Sequence, residues 1–319
     1  MKAAVYYENG PPSVLRYEDV PDPQCHPKGV VIRVEVVSIE GGDTLSRLGG
    51  PLADRPHVVG YQAAGEIIEV GAEVTHLRVG QKVTTVNAWG SHAERRAVPA
   101  RNAWPLPAGM DIKHAAAIPV PFGTADDCLF EHGRLQPGGK VLVQGGGGAV
   151  GLAAIQLAKR AGATVIATAS SDDKLARLAR FGLDHGINYK TQDLVKEVRQ
   201  LTNNKGVDVV VDPVGTTIRQ SVACLAYRGR VALVGRAGRE PISLDPTVLM
   251  GGNQAVIGVF LGAEIMTDRA HDMIQRHIDD VAAGKLEVVI DSEYPLKDAA
   301  LAHAHIEGRG AFGRVLLIP

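Results

Sequence analysis

The first hundred residues show the alternation of apolar and polar positions that is typical of β-strands. It is clearest over residues 30–38 (VVIRVEVVS), where every second residue is apolar and is expected on one face: Val30, Ile32, Val34 and Val36. The same pattern predicts strands at residues 2–7, 62–70 and 82–86. Because glycine and proline separate these segments, we predict a compact, barrel-like β domain.

Near residue 111 the pattern changes to strands and helices in alternation. It predicts strands at residues 140–144, 164–168, 186–189, 207–212, 230–235 and 255–260, and helices at 149–161, 172–181 and 191–201. Short connections between alternating strands and helices are typical of a doubly wound parallel sheet. The last residues predict helices at 267–283 and 296–307 and a closing strand at 314–318.

A glycine-rich stretch, VQGGGGAVG at residues 143–151, joins the first strand of this sheet to its first helix. A flexible linker would be flanked by polar, unpatterned sequence, whereas this stretch has apolar strand and helix patterns on its two sides. In the resulting GxGxxG motif, Gly146 permits the tight turn, Gly148 lets the backbone approach a pyrophosphate, and Gly151 lets the helix pack on the sheet. The helix N-terminus favours phosphate. The predicted dinucleotide-binding residues are Gly146, Gly147, Gly148, Ala149, Val150 and Gly151.

The residues after the second strand favour NADP(H) as the dinucleotide. NAD-specific loops place an acidic residue about 20 positions after the motif, but Ser170 and Ser171 stand there and Lys174 follows. Hydroxyl groups and a cation suit a 2′-phosphate, which a carboxylate would repel. Ser171 can also cap a helix whose positive end Asp172 and Asp173 favour, with Lys174 as a solvated surface residue, and this interpretation can hold together with the 2′-phosphate. The alternative in which Asp172 binds the ribose of NAD stays open.

Composition excludes several other classes of protein. The 319 residues are 45% hydrophobic with a formal net charge of −1, which fits a large core and argues against nucleic-acid binding. Cys25, Cys128 and Cys224 form no CxxC motif and suit a reducing compartment. The N-terminus lacks a signal-peptide core, and the longest apolar run, residues 255–263, is about half of the roughly 18 residues that a membrane span needs. We expect a cytoplasmic protein.

The chain resembles the zinc-free quinone oxidoreductase branch of the medium-chain dehydrogenase/reductase superfamily, which includes zeta-crystallin. The resemblance rests on the segments MKAAVY, VVGYQAAGEIIEVGAEV, KVLVQGGGGAVGLAAIQLAKRAGATVIAT, GVDVVVDPVG and AFGRVLLIP. It implies an α/β fold: a Rossmann doubly wound parallel sheet plus a GroES-like β-barrel catalytic domain. The catalytic domain would comprise residues 1–121 and 264–319 and the NADP(H)-binding domain residues 122–263, with the nicotinamide in the cleft between them.

The motifs that bind zinc in zinc-dependent relatives have changed in this chain. The early loop, Ser38-Ile-Glu-Gly-Gly-Asp43, has no cysteine, and Gly60-Tyr61-Gln62 has no histidine. The four closely spaced cysteines of the structural zinc site are absent too, so no metal site is expected. We interpret Cys25-His26 as a surface turn, and His303 and His305 as surface or packing residues on different faces of a helix.

The resemblance implies four catalytic residues. Glu40 and Asp43 lie in the loop that takes the catalytic metal in zinc-dependent relatives, although many zinc-free relatives have asparagine in place of Glu40. Tyr61 is expected to be a weak proton donor or an aromatic platform, with a half-buried strand tyrosine as the alternative. Thr124, at the start of the helix after Pro119-x-Pro121, matches a threonine beside the cofactor.

The remaining cofactor contacts are expected at the C-terminal ends of strands and in the last strand. Three pairs of residues follow the fourth, fifth and sixth strands, where open α/β sheets bind ligands: Val214 and Gly215, Gly235 and Arg236, Phe260 and Leu261. Gly313 and Arg314 match a family position near the nicotinamide, and Tyr189 is expected near the adenine-side phosphate. Each of these residues could instead be a turn or core residue.

The leading hypothesis is an NADPH-dependent, zinc-free reductase of quinones or related α,β-unsaturated carbonyl compounds. Hydride transfer to a quinone needs no obligatory acid–base dyad, and the sequence shows no His/Asp or Ser/Tyr/Lys catalytic arrangement. The alternatives are an enoyl or alkenal double-bond reductase and, further off, a non-enzymatic NADPH-binding protein. The expected partners are a small quinone or enone and a second copy of the chain, in a homodimer or homotetramer, with no nucleic acid.

Overall fold

The computed structural model describes residues 1–319, which divide into two compact units. Unit 1 contains Met1–Val120 and Gly262–Pro319, and unit 2 contains Pro121–Leu261. The sequence predicts divisions after residues 121 and 263, and the observed ones fall after residues 120 and 261.

The strands and helices are numbered along the chain. The strands are β1 Lys2–Tyr6, β2 Arg16–Asp19, β3 Gly29–Ser38, β4 His57–Val58, β5 Gln62–Val70, β6 Lys82–Val86, β7 Arg95–Pro99, β8 Ala103–Pro105, β9 Lys140–Val143, β10 Thr164–Ala169, β11 His185–Asn188, β12 Val207–Asp212, β13 Leu225–Leu233, β14 Ala255–Gly258, β15 Ile290–Pro295 and β16 Arg314–Ile318. The α-helices are α1 Gly41–Gly49, α2 Ile112–Ala115, α3 Pro119–Asp126, α4 Ala149–Arg160, α5 Asp172–Leu178, α6 Leu194–Leu201, α7 Ile218–Ala223, α8 Leu261–Glu264, α9 Asp268–Ala282 and α10 Ala299–Glu307. None of the helices combines the length and hydropathy that crossing a bilayer requires.

Unit 1 is built on a seven-stranded sheet that joins the two ends of the chain. Its strand order is β15-β16-β3-β5-β6-β8, and β7 also pairs with β3. A small second sheet has the order β2-β1-β4. Because β16 pairs antiparallel with β3, the last strand of the chain completes the sheet that the first hundred residues begin.

The long strand β3 departs from the predicted one-face pattern. Val30, Ile32 and Val34 share one apolar cluster as predicted, but Val36 packs in another cluster and Val37 takes its place in the first. The pairing with β5 shifts register between Val34 and Val36. A bulge adds a residue to one strand and reverses the faces beyond it, which the alternation of residue types alone does not reveal.

Unit 2 is a six-stranded sheet in the order β11-β10-β9-β12-β13-β14, and all of its pairings are parallel. The predicted doubly wound parallel sheet is therefore confirmed. The strand order reverses at β9, which has β10 on one side and β12 on the other. Loops at the C-terminal ends of strands around such a switch point form the usual ligand site of these sheets.

Several predicted boundaries in unit 2 need correction. The helix predicted to start at residue 191 begins at Leu194, because the side chain of Asp193 caps it by accepting from the Lys196 N–H. The helix predicted at 172–181 is two elements in the structure. Helix α5 ends at Leu178, and a 3₁₀ turn follows it at Ala179–Phe181. The strand predicted at 255–260 ends at Gly258.

The helix that carries Thr124 starts earlier than expected. Pro119 and Pro121 lie within the first turn of α3 instead of before it, so Thr124 lies inside the helix and not at its start. Proline is tolerated there because the N–H groups of a first turn have no helical acceptor.

A glycine in β5 tests the sheet of unit 1. A Cβ atom on Gly65 would lie 2.0 Å from the Arg33 carbonyl oxygen on β3. We expect Gly65→Ala to lower the free energy of unfolding by about 1–3 kcal/mol, as overpacking does. Urea unfolding measures this, with Gly49→Ala as the control, because nothing lies within 4 Å of that position. Equal unfolding midpoints for the two variants would contradict the close approach of β3 and β5.

Candidate functional site

The glycine loop of unit 2 makes its tight turn one residue earlier than predicted. Gly145 has a φ of +63°, in the left-handed region, whereas Gly146 is not among the glycines with positive φ. Gly146 is instead required by packing, since a Cβ atom there would lie 2.8 Å from Leu178 Cδ1 and 3.0 Å from Ala167 Cβ. The turn role assigned to Gly146 therefore belongs to Gly145, a glycine that the motif does not include.

The third motif glycine has the close contact that the motif predicts. A Cβ atom on Gly151 would lie 2.5 Å from the Gly145 carbonyl oxygen, so only glycine lets α4 approach the loop so closely. Helix α4 begins at Ala149 after Gly148. The N–H groups of Gly147, Ala149 and Val150 donate to no protein acceptor. Free amides at the start of a helix bind phosphate oxygens.

A buried chain of polar side chains holds the glycine loop to the sheet. The Gly145 N–H donates to Thr168 Oγ1 (2.9 Å), and this hydroxyl donates to Gln144 Oε1 (3.0 Å). The Gln144 amide donates to Ser221 Oγ (3.2 Å), which donates to Asp212 Oδ2 (2.8 Å). Each of these four side chains is at most 2% exposed. Direct hydrogen bonds between these side chains therefore connect the ends of β9, β10 and β12.

Asp212 also fixes the loop that follows β12. Its Oδ1 atom accepts from the N–H groups of Val214 (3.0 Å) and Gly215 (2.9 Å) and from the Thr217 hydroxyl (2.8 Å). The loop after β13 packs on this one, because a Cβ atom on Gly235 would lie 2.4 Å from the Pro213 carbonyl oxygen. The structure thus brings together three predicted contact residues: Val214, Gly215 and Gly235.

The predicted 2′-phosphate residues lie at the start of α5. Ser171 is the N-cap of the helix, and its hydroxyl accepts from the Lys174 N–H (3.3 Å), so the predicted cap is present. Ser170 and Lys174 are half-buried beside it. The Asp172 carboxylate accepts from the Asn188 amide (2.9 Å). The carboxylate needed for the NAD alternative is therefore already bonded to a protein group.

Five other predicted cofactor residues of unit 2 show different environments. Tyr189, directly after β11, is 51% exposed, and Phe260 is 68% exposed. Leu261 is buried as the first residue of α8, and Thr124 is buried inside α3. Arg236 follows β13 beside Gly235 and is exposed. Sequence position alone did not distinguish these environments.

In unit 1 the predicted residues Glu40 and Arg314 form a buried ion pair. Each is about 5% exposed. Arg314 reaches both Glu40 oxygens and also donates to the Ser38 hydroxyl (2.8 Å) and the Ile39 carbonyl (2.6 Å). The Gln62 amide donates to Glu40 as well. Burial raises the pKa of the Glu40 carboxyl, and the positive charge of Arg314 opposes that shift.

Asp43 lies next to this pair but has no cation bonded to it. Its two oxygens accept from the backbone N–H groups of Glu40 (2.8 Å) and Tyr61 (3.1 Å). The side chain is fully buried, and burial raises the pKa of its carboxyl to about 8. We infer that Asp43 holds the α1 start and the Tyr61 turn together and keeps a proton near neutral pH.

Tyr61 presents the one phenol of this group. Its hydroxyl is 3.2 Å from the Ser46 hydroxyl on α1, and its ring covers Gly42, where a Cβ atom would lie 2.3 Å from Tyr61 Cε2. The Arg96 guanidinium donates to the carbonyls of Gly60 (3.1 Å) and Tyr61 (2.8 Å). Burial raises the pKa of the Tyr61 hydroxyl, which therefore stays protonated and able to donate. Tyr61 is half-buried, as the strand alternative expects, but it lies just before β5, which begins at Gln62.

Gly313, next to Arg314, has a φ of +107°. A Cβ atom there would lie 2.4 Å from the Val289 carbonyl oxygen, so the residue is required by the turn into β16. Gly313 directly precedes Arg314 in the sequence, but it makes no contact within the Arg314–Glu40 ion pair.

Two polar clusters of unit 1 were missed by sequence reasoning. His303, expected to be an ordinary helix residue, is fully buried and lies 3.0 Å from His92 through their Nε2 atoms. His305 is bonded through Nδ1 to Ser292 (3.2 Å) and Tyr294 (3.0 Å). The prediction was that the two histidines are surface or packing residues on different faces of the helix; His303 is buried, His305 is half-buried, and the two bond to different side chains. No signal in the sequence could pair His92 with His303, because 211 positions separate them.

The structure contains no group of three histidine, cysteine, aspartate or glutamate side chains placed to hold a metal ion. The three cysteines are unpaired, with Cys128 and Cys224 buried and Cys25 half-buried. Unit 2 thus contains a glycine loop with free backbone amides, and unit 1 contains a set of buried carboxyl, guanidinium and phenol groups.

Comparison with known proteins assigns the family. Residues 26–108 match the alcohol dehydrogenase GroES-like domain, and residues 149–277 match the zinc-binding dehydrogenase family. The chain is 32% identical to a 2-haloacrylate reductase from Burkholderia, with 99% of this chain and 98% of the relative covered, and 31% identical to quinone oxidoreductase from Mus musculus, with 100% and 98% covered. Its structure matches Escherichia coli quinone oxidoreductase complexed with NADPH at a TM-score of 0.95 and 29% identity, with 100% of both chains covered. The predicted GroES-like domain and Rossmann-like sheet are thus confirmed, and the chain belongs to the quinone oxidoreductase branch of the medium-chain dehydrogenase/reductase superfamily.

Proposed function

We propose that this protein is an NADPH-dependent reductase that transfers hydride to quinones or related α,β-unsaturated carbonyl compounds. The observation that carries the proposal is the glycine loop, whose free amides at the start of α4 suit a pyrophosphate. Relatives matched over their whole length are named quinone oxidoreductase, and a structural neighbour is complexed with NADPH. Bound NADPH would supply the hydride.

The residues of unit 2 fit NADPH better than NADH. Ser170, Ser171 and Lys174 supply two hydroxyl groups and a cation for a 2′-phosphate, at the end of β10. Asp172, the carboxylate of the NAD alternative, already accepts from the Asn188 amide through one of its oxygens. The proposed remaining contacts are Thr124, Tyr189, Val214, Gly215, Gly235, Arg236, Phe260 and Leu261.

Unit 1 would supply the proton that follows the hydride. When a quinone accepts hydride at carbon or oxygen, its negative oxygen must be protonated, and the Tyr61 hydroxyl is a neutral donor with Ser46 as its neighbour. Asp43 holds the backbone of Tyr61, and Glu40 with Arg314 braces the adjacent loop. We therefore propose Tyr61 as the catalytic donor and Glu40, Asp43, Gly313 and Arg314 as the framework around it.

We propose further that the reaction uses no zinc. The early-loop carboxylate, Glu40, already accepts from Arg314 and Gln62, and a metal cation there would have to displace a buried guanidinium. Gln62 adds an amide and Tyr61 a phenol where zinc sites use thiolate, imidazole or carboxylate. This donor set does not fit a tetrahedral zinc site.

A double-bond reductase is the second candidate. The specific observation in its favour is the 32% identity to a 2-haloacrylate reductase over 99% of this chain. Such a reaction would add hydride to the carbon–carbon double bond of an unsaturated acid or carbonyl compound and a proton to the neighbouring carbon. The same cofactor loop and proton donor would serve both reactions.

Nicotinamide absorbance tests the proposed function. Purified protein in EDTA, with NADPH or NADH, is offered a benzoquinone, a polycyclic quinone, a 2-alkenal and a 2-haloacrylate. We expect rapid NADPH oxidation with at least one quinone, unaffected by EDTA, and no stoichiometric zinc by metal analysis. Turnover with the alkenal or haloacrylate alone would favour the second candidate, and no turnover with any acceptor would contradict both.

Cofactor choice gives a second prediction. We expect Lys174→Ala to raise the KM for NADPH about tenfold and to leave the KM for NADH unchanged, because a charge-assisted contact to the 2′-phosphate is lost. The matched control is Lys196→Ala, which removes an exposed lysine from α6 in the same unit. An equal rise for both cofactors, or no rise for NADPH, would contradict the assignment of the 2′-phosphate site.

We also propose that the chain forms a homodimer or homotetramer through the edge of the parallel sheet. Strand β14 is the last strand on its side and pairs only with β13. Large apolar side chains around that edge are exposed: Tyr227 69%, Val248 50% and Met250 74%. An open edge strand flanked by exposed apolar groups favours pairing with a second copy.

Light scattering after size exclusion tests the proposed interface. We expect the wild-type chain to elute as a dimer or tetramer and Ile257→Lys, a charge on the β14 edge, to shift it towards the monomer. The control Val79→Lys places the same charge at an exposed apolar residue of unit 1 and should leave the assembly intact. A wild-type monomer, or an unchanged Ile257→Lys assembly, would contradict the interface.

The unpaired cysteines support a cytoplasmic location, which we propose as well. Cys128 and Cys224 are buried, and burial raises the pKa of the Cys224 thiol to about 12. Reduced, unreactive thiols suit a reducing compartment.

A further inference from the structure

Unit 1 contains a buried row of hydrogen-bonded side chains that the proposed chemistry does not use. Arg47 Nε lies 3.3 Å from His303 Nδ1, His303 Nε2 lies 3.0 Å from His92 Nε2, and His92 Nδ1 lies 3.2 Å from Ser91 Oγ. All four side chains are fully buried. Arg47 is anchored further by the Gly10 carbonyl (2.6 Å) and by an ion pair with Glu307.

The chemistry of arginine sets the position of every proton in this row. A guanidinium only donates, so His303 must accept at Nδ1 and carry its proton on Nε2. His303 then donates to His92 Nε2, which leaves the His92 proton on Nδ1, directed at the Ser91 hydroxyl. Two adjacent histidines are therefore held in opposite tautomers by one arginine.

Both imidazoles stay neutral at ordinary pH. Burial lowers the pKa of His92 to about 3, helped by the charge of Arg96, and burial together with His92 and Arg47 lowers the pKa of His303 well below its usual value. Protonating His92 would leave two donors facing each other across the 3.0 Å contact with His303, and protonating His303 would leave its Nδ1–H facing the Arg47 Nε–H at 3.3 Å. The row is thus a fixed brace and not a pH switch.

The two ends of the row contact the two elements that hold Tyr61. Arg47 is on α1, the helix whose Asp43 binds the Tyr61 N–H and whose Ser46 binds the Tyr61 hydroxyl. At the other end, the Ser91 N–H donates to the Gly60 carbonyl (3.2 Å).

The contact at Gly60 is tight. A Cβ atom on Gly60 would lie 1.9 Å from Ser91 Oγ and 2.2 Å from His92 Nδ1, and the residue has a φ of +115°. The turn that precedes Tyr61 therefore rests directly on the end of the row. Any change in the length of the row moves α1 relative to this turn.

We propose that His92 and His303 are positioning residues, which Arg47 orders in opposite tautomers so that they set the distance between α1 and the Gly60–Tyr61 turn and thereby the place of the Tyr61 hydroxyl. The link to catalysis rests on the proposed function, in which Tyr61 donates the proton. The tautomers do not depend on that function.

Nitrogen-15 NMR of imidazole-labelled protein tests the tautomers directly. We expect His92 protonated on Nδ1, His303 protonated on Nε2, and neither signal titrating near the usual histidine pKa of about 6.5. Arg47→Leu should release His303 from its fixed tautomer. The same tautomer in both rings, or titration of either ring near neutral pH in the wild-type protein, would overturn the proposal.

Two substitutions of His92 test the positioning role. The side-chain oxygen of His92→Gln can accept the His303 proton, whereas His92→Phe fills the space and accepts nothing. With NADPH and the best quinone or enone, we expect His92→Phe to lower kcat about tenfold or more and to raise the solvent deuterium isotope effect, with NADPH affinity unchanged. His92→Gln should recover most of kcat.

Other outcomes separate the proposal from its premise. Equal losses in His92→Gln and His92→Phe, or a loss of thermal stability with kcat and the isotope effect unchanged, would show a structural role only and overturn positioning. If the wild-type chain turns over no acceptor, the proposed function fails, while the NMR result still decides the tautomers. Opposite tautomers in an active enzyme whose His92→Phe variant keeps full kcat would also overturn the link to Tyr61.

Discussion

Carboxylates removed from water hold the loops of both units in place. Asp212 is fully buried, yet it accepts hydrogen bonds from two backbone N–H groups and two hydroxyls, which replace the water it has lost. Because one of these hydroxyls continues through Gln144 and Thr168 to the glycine loop, a single carboxylate orders two loops at the switch point of the sheet. Leaving any member unpaired would cost about 1–3 kcal/mol, so the loops are fixed before a ligand arrives.

In unit 1 a buried carboxylate, Glu40, likewise bonds a residue near the other end of the chain, Arg314. Arg314 starts the last strand, and Glu40 follows the strand that pairs with it. Replacing one partner of such a buried ion pair costs about 3–5 kcal/mol, because the other charge stays behind without a partner. Because Glu40 is held in this ion pair, it is poorly placed to bind a substrate or transfer a proton, and we assign it to the framework around Tyr61.

Each unit contains one kind of group that the proposed hydride transfer would use. The parallel sheet of unit 2 provides free amides, which bind a phosphate without a side chain and so need glycine for close approach. Unit 1 provides groups whose protons are held by burial, because burial raises the pKa of both Asp43 and Tyr61.

The sequence by itself determined the features that depend on neighbouring residues. The alternation of strands and helices predicted the parallel sheet, and the GxGxxG motif predicted the strand-to-helix loop, because periodicity and glycine spacing are local properties. Only the tertiary structure decided that Gly145 makes the turn, that a bulge moves Val36 off its expected face, that Glu40 pairs with Arg314, and that His92 meets His303. The last two contacts join residues 274 and 211 positions apart. Such pairs form because folding buries polar groups that must then find partners, and which partner lies within reach is set by the packing of distant strands and helices, not by the sequence around either residue.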